Sequence, residues 1–415
     1  MPSRDDRAQS RQSYELGEVS EAMRRWDMDD PKHAQDPYPL YGKFRQECPL
    51  GWAEGHGGYW VLSRYDDIRF VYDNPEIFSS HPNGIPANLG QDRPMIPLEI
   101  DPPDHAYYRR ILAPLFGPGR INPLEDQLRA LVTELIDDFI EKGSCEFVAE
   151  LANPFPTRAF LSLMGWPLED APMFLQWADD IIRGVPGDPE ASMARRAESG
   201  LALYTYFAEI VDTRTEQRGD DLVSALLDAS FAGERKLSQF EVLDIVFLLL
   251  IAGLDTTKSV LSNGIAWLAE HPEERQKLID DPSTIPLAIE ELMRWESPII
   301  PGRRVTREVE MHGTTLREGD RVMLLTGATG RDSTQFENAD TVILDRHPNH
   351  HLAFGAGAHR CLGSHLARLE LRIVFEEIHR RMPDYRVPDG EQIVRHLGGV
   401  RGVDHLPLVF TPGTT

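Results

Sequence analysis

The stretch FGAGAHRCLG, Phe354 to Gly363, places a lone cysteine, Cys361, after a glycine-rich bend and just before a helix predicted from Ser364. Backbone N–H groups and the dipole at a helix start favour a thiolate there. Such a thiolate can act as a nucleophile, bind zinc or serve as the axial ligand of haem iron. His347, His350, His351, His359 and His365 lie nearby, but Cys361 has no companion cysteine and the spacings do not match the usual close zinc pairs. A nucleophile would need a base and an orienting group, and nothing local identifies either. Haem asks for one strong ligand, room for a flat macrocycle against small residues, and cations for two propionates. Gly355, Gly357 and Gly363 supply the room.

Two other groups of residues could do chemistry. In VFLLLIAGLDTTKSV, Asp255 and Thr256 interrupt a segment that is apolar nearly all round. A carboxylate in such a helix is costly unless it is paired, solvated by a channel or needed as an acid. The Thr256 hydroxyl can bond back to the carbonyl of Ala252, and beside Gly253 that can open the helix into a small cavity. The alternative is a helix turning its polar face outward at this point. In IEELMRW, Glu291 and Arg294 stand three apart on one helix face, where carboxylate and guanidinium can pair. Standing alone, such a pair reads as a solvated surface contact.

The elements that must position these residues are legible in outline. Ser238 and Glu241 have capping-box spacing, and the helix they open can run to His271 before Pro272, about 33 residues or ~50 Å. That length crosses a whole domain. Helix is predicted over about 101–297 and 364–382, and β-rich parts over about 52–65, 299–326 and 384–411, with His312-Gly313 at a hairpin turn. The fold class is therefore mainly α with a smaller β region. Residues 1–30 lack sustained apolar periodicity and are expected to form a mobile tail before a single domain over 31–415.

Bulk composition limits the function classes. With 41% hydrophobic residues in 415, the chain can bury a large core. Its three cysteines are odd in number and far apart, which argues for a reducing compartment and against a disulfide framework. A net charge of −24 repels phosphate backbones and anionic membranes, so nucleic-acid binding is not expected. The apolar run from Phe247 to Leu254 is too short to span a bilayer, and the N-terminus is polar; a cytoplasmic protein is expected.

FGAGAHRCLG resembles the cysteine-ligand loop of the cytochrome P-450 haem-thiolate monooxygenases at Phe354, Gly357, His359, Cys361 and Gly363. Glu291 and Arg294 resemble the family's ExxR pair, and Arg346 in LDRHPN looks like the later arginine that packs with it. AGLDTT, residues 252–257, is similar to the oxygen-groove segment of the long central helix. These motifs fall in the family's order, with a similar pattern from about residue 31 to 411, and the soluble bacterial branch that includes the camphor hydroxylases is the nearest likeness.

The resemblance implies the cytochrome P-450 fold, a long central helix over a buried haem b (iron protoporphyrin IX), and Cys361 as the iron ligand. It implies insertion of one atom of O2 into a small-to-medium hydrophobic substrate, with Asp255 and Thr256 relaying protons. His105, Arg109, Arg303 and His359 are implied as propionate partners, with Arg304 one residue away from Arg303. Phe354 and Gly363 complete the implied cofactor site; Glu291, Arg294 and Arg346 are implied to be structural. Leu248, Ile251, Ala252, Ile299, Ile300 and Val400 are implied to face the substrate, under a roof from HPNGIPANLGQDRPMIP (81–97). The chain has no nucleotide-binding glycine fingerprint and no iron–sulfur cysteine set, so electrons from NAD(P)H are expected through a separate ferredoxin and its reductase. Arg109, Arg110, Arg360, Arg368 and Arg372 are expected to form the ferredoxin's docking face. A peroxygenase on the same fold, or a haem protein that senses or carries a gas, are the alternatives.

Overall fold

In the computed structural model, residues 18–85, 93–183, 185 and 188–414 are described. The central helix spans Gln239–Glu270, and Ser238 and Glu241 close its capping box reciprocally. Twenty-two of its residues are buried, so it forms the spine of the largest hydrophobic cluster. Pro154–Met164, Pro189–Glu216, Ile285–Trp295 and Ser364–Arg381 all pack on this helix. An amphipathic helix gains most of its stability from such packing, which is why the apolar all-round segment takes the middle place.

The β region centres on a five-stranded sheet in the order Leu50–Ala53, Tyr59–Leu62, Arg321–Leu324, Gly302–Val305, Phe78–Ser79. Only the pairing of Tyr59–Leu62 with Arg321–Leu324 is parallel. Side chains alternate across it: Val322 and Leu324 join one cluster with Leu62 and Ile68, whereas Met323 joins another with Tyr59 and Val61. The hairpin Val309–Met311/Thr314–Leu316 turns at His312 and Gly313, both at positive φ, as its sequence predicts.

Three expectations need correction. Residues 18–30 are not part of a tail: Glu18–Arg24 is helical, and Met23, Trp26 and Met28 are buried against Tyr38, Tyr41 and Phe44. The contact is close, since a Cβ on Gly51 would lie 2.3 Å from Met23 Cγ. Three apolar residues carry too little periodicity to announce a helix, and only the partner surface reveals it. Residues 1–17 lie outside the described residues. Short strands also occur inside the stretch expected as helical, Ser144–Glu146 pairing with Pro407–Val409 and Ser230–Phe231 with Arg235–Lys236. Finally, residues 384–388, at the start of the β-rich part expected over 384–411, contribute a bridge between Arg386 and Val409 and no full strand.

Candidate functional site

The cysteine loop is built by its glycines and its neighbour helix. Gly355 and Gly357 adopt positive φ, and a Cβ on Gly357 would fall 2.2 Å from the carbonyl oxygen of Tyr72, on the helix Tyr65–Asp73. Only glycine lets the loop approach that closely. The Cys361 N–H donates to the Phe354 carbonyl at 2.8 Å, closing the loop, and Gly363 then caps Ser364–Arg381. Arg368 stacks on the Phe354 ring at 4.5 Å while pairing with Glu290 at 2.6 Å.

Cys361 is crowded by protein on most sides yet open to solvent-sized space on one. Burial pushes its thiol up, against the pull of the Gly363 N–H and of Arg109, Arg360 and Arg368. The helix start alone therefore does not make the thiolate that the sequence suggests; a cation bonded to sulfur would. Among the described residues, no group of three or more His, Cys, Asp or Glu ligand atoms includes Cys361. The nearby histidines thus build no zinc cage around it, and His351 is engaged with Glu290 at 3.1 Å.

Beside the loop lies a cluster of unneutralised donors. The rings of His105 and His359 have centroids 4.0 Å apart. Burial, with Arg109 beside it, lowers His105 to about 4. Burial, reinforced by His105, Arg303 and Arg109, lowers His359 to about 3. Arg303 is buried, donates to the Gly302 carbonyl at 2.7 Å and lies 5.4 Å from the Tyr72 ring. Neither Arg109 nor Arg303 has a carboxylate at ion-pair distance among the described residues. Asp101 feels Arg303 but is occupied by the Ser79 hydroxyl at 2.5 Å and the Ser80 N–H at 2.9 Å. Strand alternation decides the arginine register, since Arg303 points inward and Arg304 is exposed. His359 Nε2 is buried without a hydrogen-bond partner.

On the central helix, the Thr256 hydroxyl donates to the Ala252 carbonyl at 2.8 Å, as its spacing predicts. Ala252 is exposed although Ile251, Leu254 and Asp255 around it are buried, and a Cβ on Gly253 would meet nothing within 4 Å. A Cβ on Gly363 would also meet nothing within 4 Å. Small residues thus line open space on both the helix and the cysteine loop. Open surroundings at both places, a sulfur approached only by the Gly363 N–H and nearby arginines, and four donors lacking anionic partners fit a flat dicarboxylate macrocycle.

Glu291 and Arg294 are fully buried and joined by two bonds of 2.7 Å, and Arg346 reaches Glu291 at 3.0 Å. The Ile343 N–H and Asn349 add bonds to Glu291 at 2.7 and 3.1 Å, and Arg294 donates to the carbonyls of Ala339 and Thr341 at 2.8 and 2.9 Å. This is a satisfied buried network, unlike the surface pair that the spacing alone suggests.

The expected substrate-facing residues divide. Leu248 and Ile251 are nearly buried on the central helix, and Ile299 bridges Val400 in antiparallel register. Ile300 points the other way, into the cluster with Met23, Trp26 and Met323, because neighbours in extended chain face opposite sides. It is core. Of the expected roof, residues 86–92 lie outside the described residues; Ile85, Met95 and Ile96 are buried, and Glu99 accepts from the Asn83 and Met95 N–H groups at 2.9 and 3.0 Å.

A steroid C26-monooxygenase of Mycolicibacterium smegmatis is 35% identical over 360 residues, covering 86% of this chain and 88% of that one. The chain belongs to the cytochrome P450 family. The family model "Cytochrome P450" itself matches residues 202–382. The mycinamicin IV hydroxylase/epoxidase of Micromonospora griseorubida is 33% identical over 385 residues, covering 89% of this P450 and 94% of its own length. A crystal structure of a Bacillus megaterium P450, CYP109E1, with testosterone matches at a TM-score of 0.83 and 29% identity, covering 91% of this chain and 98% of that one. The protein is thus a P450 monooxygenase of P450 fold, and the family's cofactor is haem. No helix among the described residues is long and apolar enough to cross a membrane.

Sequence reasoning missed three groups near this site. Glu370 is buried beside Thr257, Lys258 pairs with Asp255, and Arg183 acts on Asp255 from the end of Ala171–Ile182. Glu370 gave one signal, a carboxylate between Leu369 and Leu371 on the buried face of its helix.

Proposed function

We propose that this P450 hydroxylates hydrophobic molecules up to sterol size, using haem b held by Cys361 and electrons from NAD(P)H passed through a ferredoxin and its reductase in the cytoplasm. The observation that carries this reading is the grouping beside the cysteine loop of four donors without carboxylate partners, Arg109 acting on Cys361 and His105, Arg303 and Arg109 acting on His359. When bound, the haem supplies reductive activation of O2. Cys361 would be its sulfur ligand, with His105, Arg109, Arg303 and His359 toward its propionates and Phe354 and Gly363 shaping the loop. Glu291, Arg294 and Arg346 would hold the segments before the loop in place.

Asp255 and Thr256 would move protons toward the oxygen being reduced, and their presence together supports use of O2 over added peroxide. Leu248, Ile251, Ala252, Ile299 and Val400 would face the substrate, and their apolar side chains suit one bound by shape and desolvation. The names of the relatives, a steroid monooxygenase and a macrolide hydroxylase, support substrates of that size.

The expected ferredoxin face is narrower than the sequence suggests. Arg368 is paired with Glu290, and Arg372 with Glu125 at 2.7 Å and Glu376 at 3.1 Å. Arg110 and Arg360 are exposed and have no ion pair among the described residues. With Arg109 behind them, they would receive an acidic partner despite the acidic chain.

The test is twofold. Reduced protein under carbon monoxide should show the thiolate-ligated haem spectrum, lost in Cys361→Ser and retained in Cys48→Ser and Cys145→Ser. With a surrogate ferredoxin and reductase, a substrate that shifts the haem band should drive NAD(P)H consumption and yield oxygenated product. An imidazole-type spectrum in folded protein would refute the ligand assignment.

A further inference from the structure

The apolar central helix carries a buried polar stripe. Asp255, Lys258, Ser259, Ser262 and Asn263 recur at helical spacings of three and four, so they share one face, and all five are buried. Lys258 Nζ forms an ion pair with Asp255 Oδ1, with side-chain exposures of 5% and 6%. Among the described residues Lys258 has no other acidic partner. Asp255 Oδ2, Ser259 Oγ and Asn263 Oδ1 are shielded from solvent and have no hydrogen-bond partner. One carboxylate oxygen is therefore tied and the other is free.

The surroundings are charged as well. Arg183 acts on Asp255 from the neighbouring helix end and is itself held by Asp179 at 3.0 Å and by Asp404. His396 bonds Asp404 at 2.8 Å. The strand Gly402–His405 lies so close that a Cβ on Gly402 would sit 2.6 Å from Ser259 Oγ and 3.1 Å from His396 Nε2. A buried Lys–Asp pair is commonly no more stabilising than a packed apolar pair of similar volume, so its presence beside Thr256 asks for a reason other than stability.

We propose that Lys258 is a positioning residue for proton delivery: its ammonium holds Oδ1 of Asp255, so that Oδ2 is the oxygen that takes up a proton and passes it on toward Thr256. Oδ2 gains one solvent-derived proton, becoming O–H, and loses the same proton in the forward direction. Lys258 stays an ammonium throughout and no electrons move. The inference rests on the proposed role of Asp255 and Thr256 in oxygen activation.

Lys258→Met removes the charge at similar shape, and Lys258→Arg keeps it. Each holoenzyme should match the parent's reduced carbon monoxide spectrum. The parent and Lys258→Arg should share one pH profile of coupled turnover. Lys258→Met should lose roughly tenfold at neutral pH and recover as pH rises, because a buried carboxyl stripped of its counter-charge is held protonated to higher pH. Its thermal midpoint should likewise fall behind the parent's as pH rises, and Asp255→Asn should abolish that divergence. If Lys258→Met does not fold, Asp255→Asn/Lys258→Met compared with Asp255→Asn carries the stability arm. An unaltered profile in Lys258→Met, a defect that Lys258→Arg shares, or a divergence that persists in Asp255→Asn would overturn the proposal. An Asp255→Asn holoenzyme that turns over and couples like the parent would instead overturn the role of Asp255 in proton delivery on which the inference rests.

Discussion

The imidazole rings of His105 and His359 lie with centroids 4.0 Å apart and planes tilted by 41°, in the field of Arg109 and Arg303. Burial and those guanidiniums keep both rings neutral, His105 down to about 4 and His359 down to about 3. These two rings and two guanidiniums gather beside the cysteine loop, Arg109 acting on Cys361 itself, with no carboxylate at ion-pair distance from either arginine among the described residues.

Haem-free protein should therefore lose stability as pH falls below about 6.5, where unfolded histidine binds protons that the folded rings refuse, down to their folded values near 4 and 3. Haem loading should flatten that loss, since propionates favour the protonated rings. Thermal midpoints against pH, with and without haem, check this; two parallel curves would remove the propionate role.

Glu370 gives the opposite slope. Burial pushes its carboxyl up to about 8 despite a bond from Thr257. Its protonated form is fully compatible with the fold below the ordinary 4.5, and stability drains as pH rises toward about 8. Glu370→Gln should leave the midpoint equal or higher at neutral pH and flatter across that window by calorimetry. A variant as pH-sensitive as the parent would contradict it.

Thr256→Ala should keep substrate affinity, read from the haem-band shift, while diverting reducing equivalents to peroxide. Asp255→Asn should slow turnover by roughly 10²-fold through impaired proton delivery. Variants that both turn over and couple like the parent would exclude the relay.

Arg110→Glu and Arg360→Glu should each weaken ferredoxin-driven reduction severalfold without changing substrate affinity. Parent reduction should slow as salt rises, since screening shortens electrostatic reach to about 10 Å at 0.1 M. Arg372→Glu is a poorer probe, because it also breaks pairs with Glu125 and Glu376. Salt-independent reduction with unaffected variants would place docking elsewhere.

The sequence by itself determined the central helix, because a capping box at Ser238 and Glu241 and a long apolar run are local signals. It also determined the glycine-built cysteine loop and the hydroxyl back-bond of Thr256, each of which is short-range geometry. Tertiary structure alone decided the rest. Met23 and Trp26 are core because a distant surface covers them, and Ile300 is core because its strand neighbour Ile299 faces the other way. Glu291 and Arg294 form a buried network because carbonyls some 36 to 47 residues away converge on the guanidinium. Lys258 stands three residues from Asp255, but its pairing there and the burial of both depend on which elements close over that face. Burial and charge pairing are properties of a folded surface meeting another, and no local pattern encodes them.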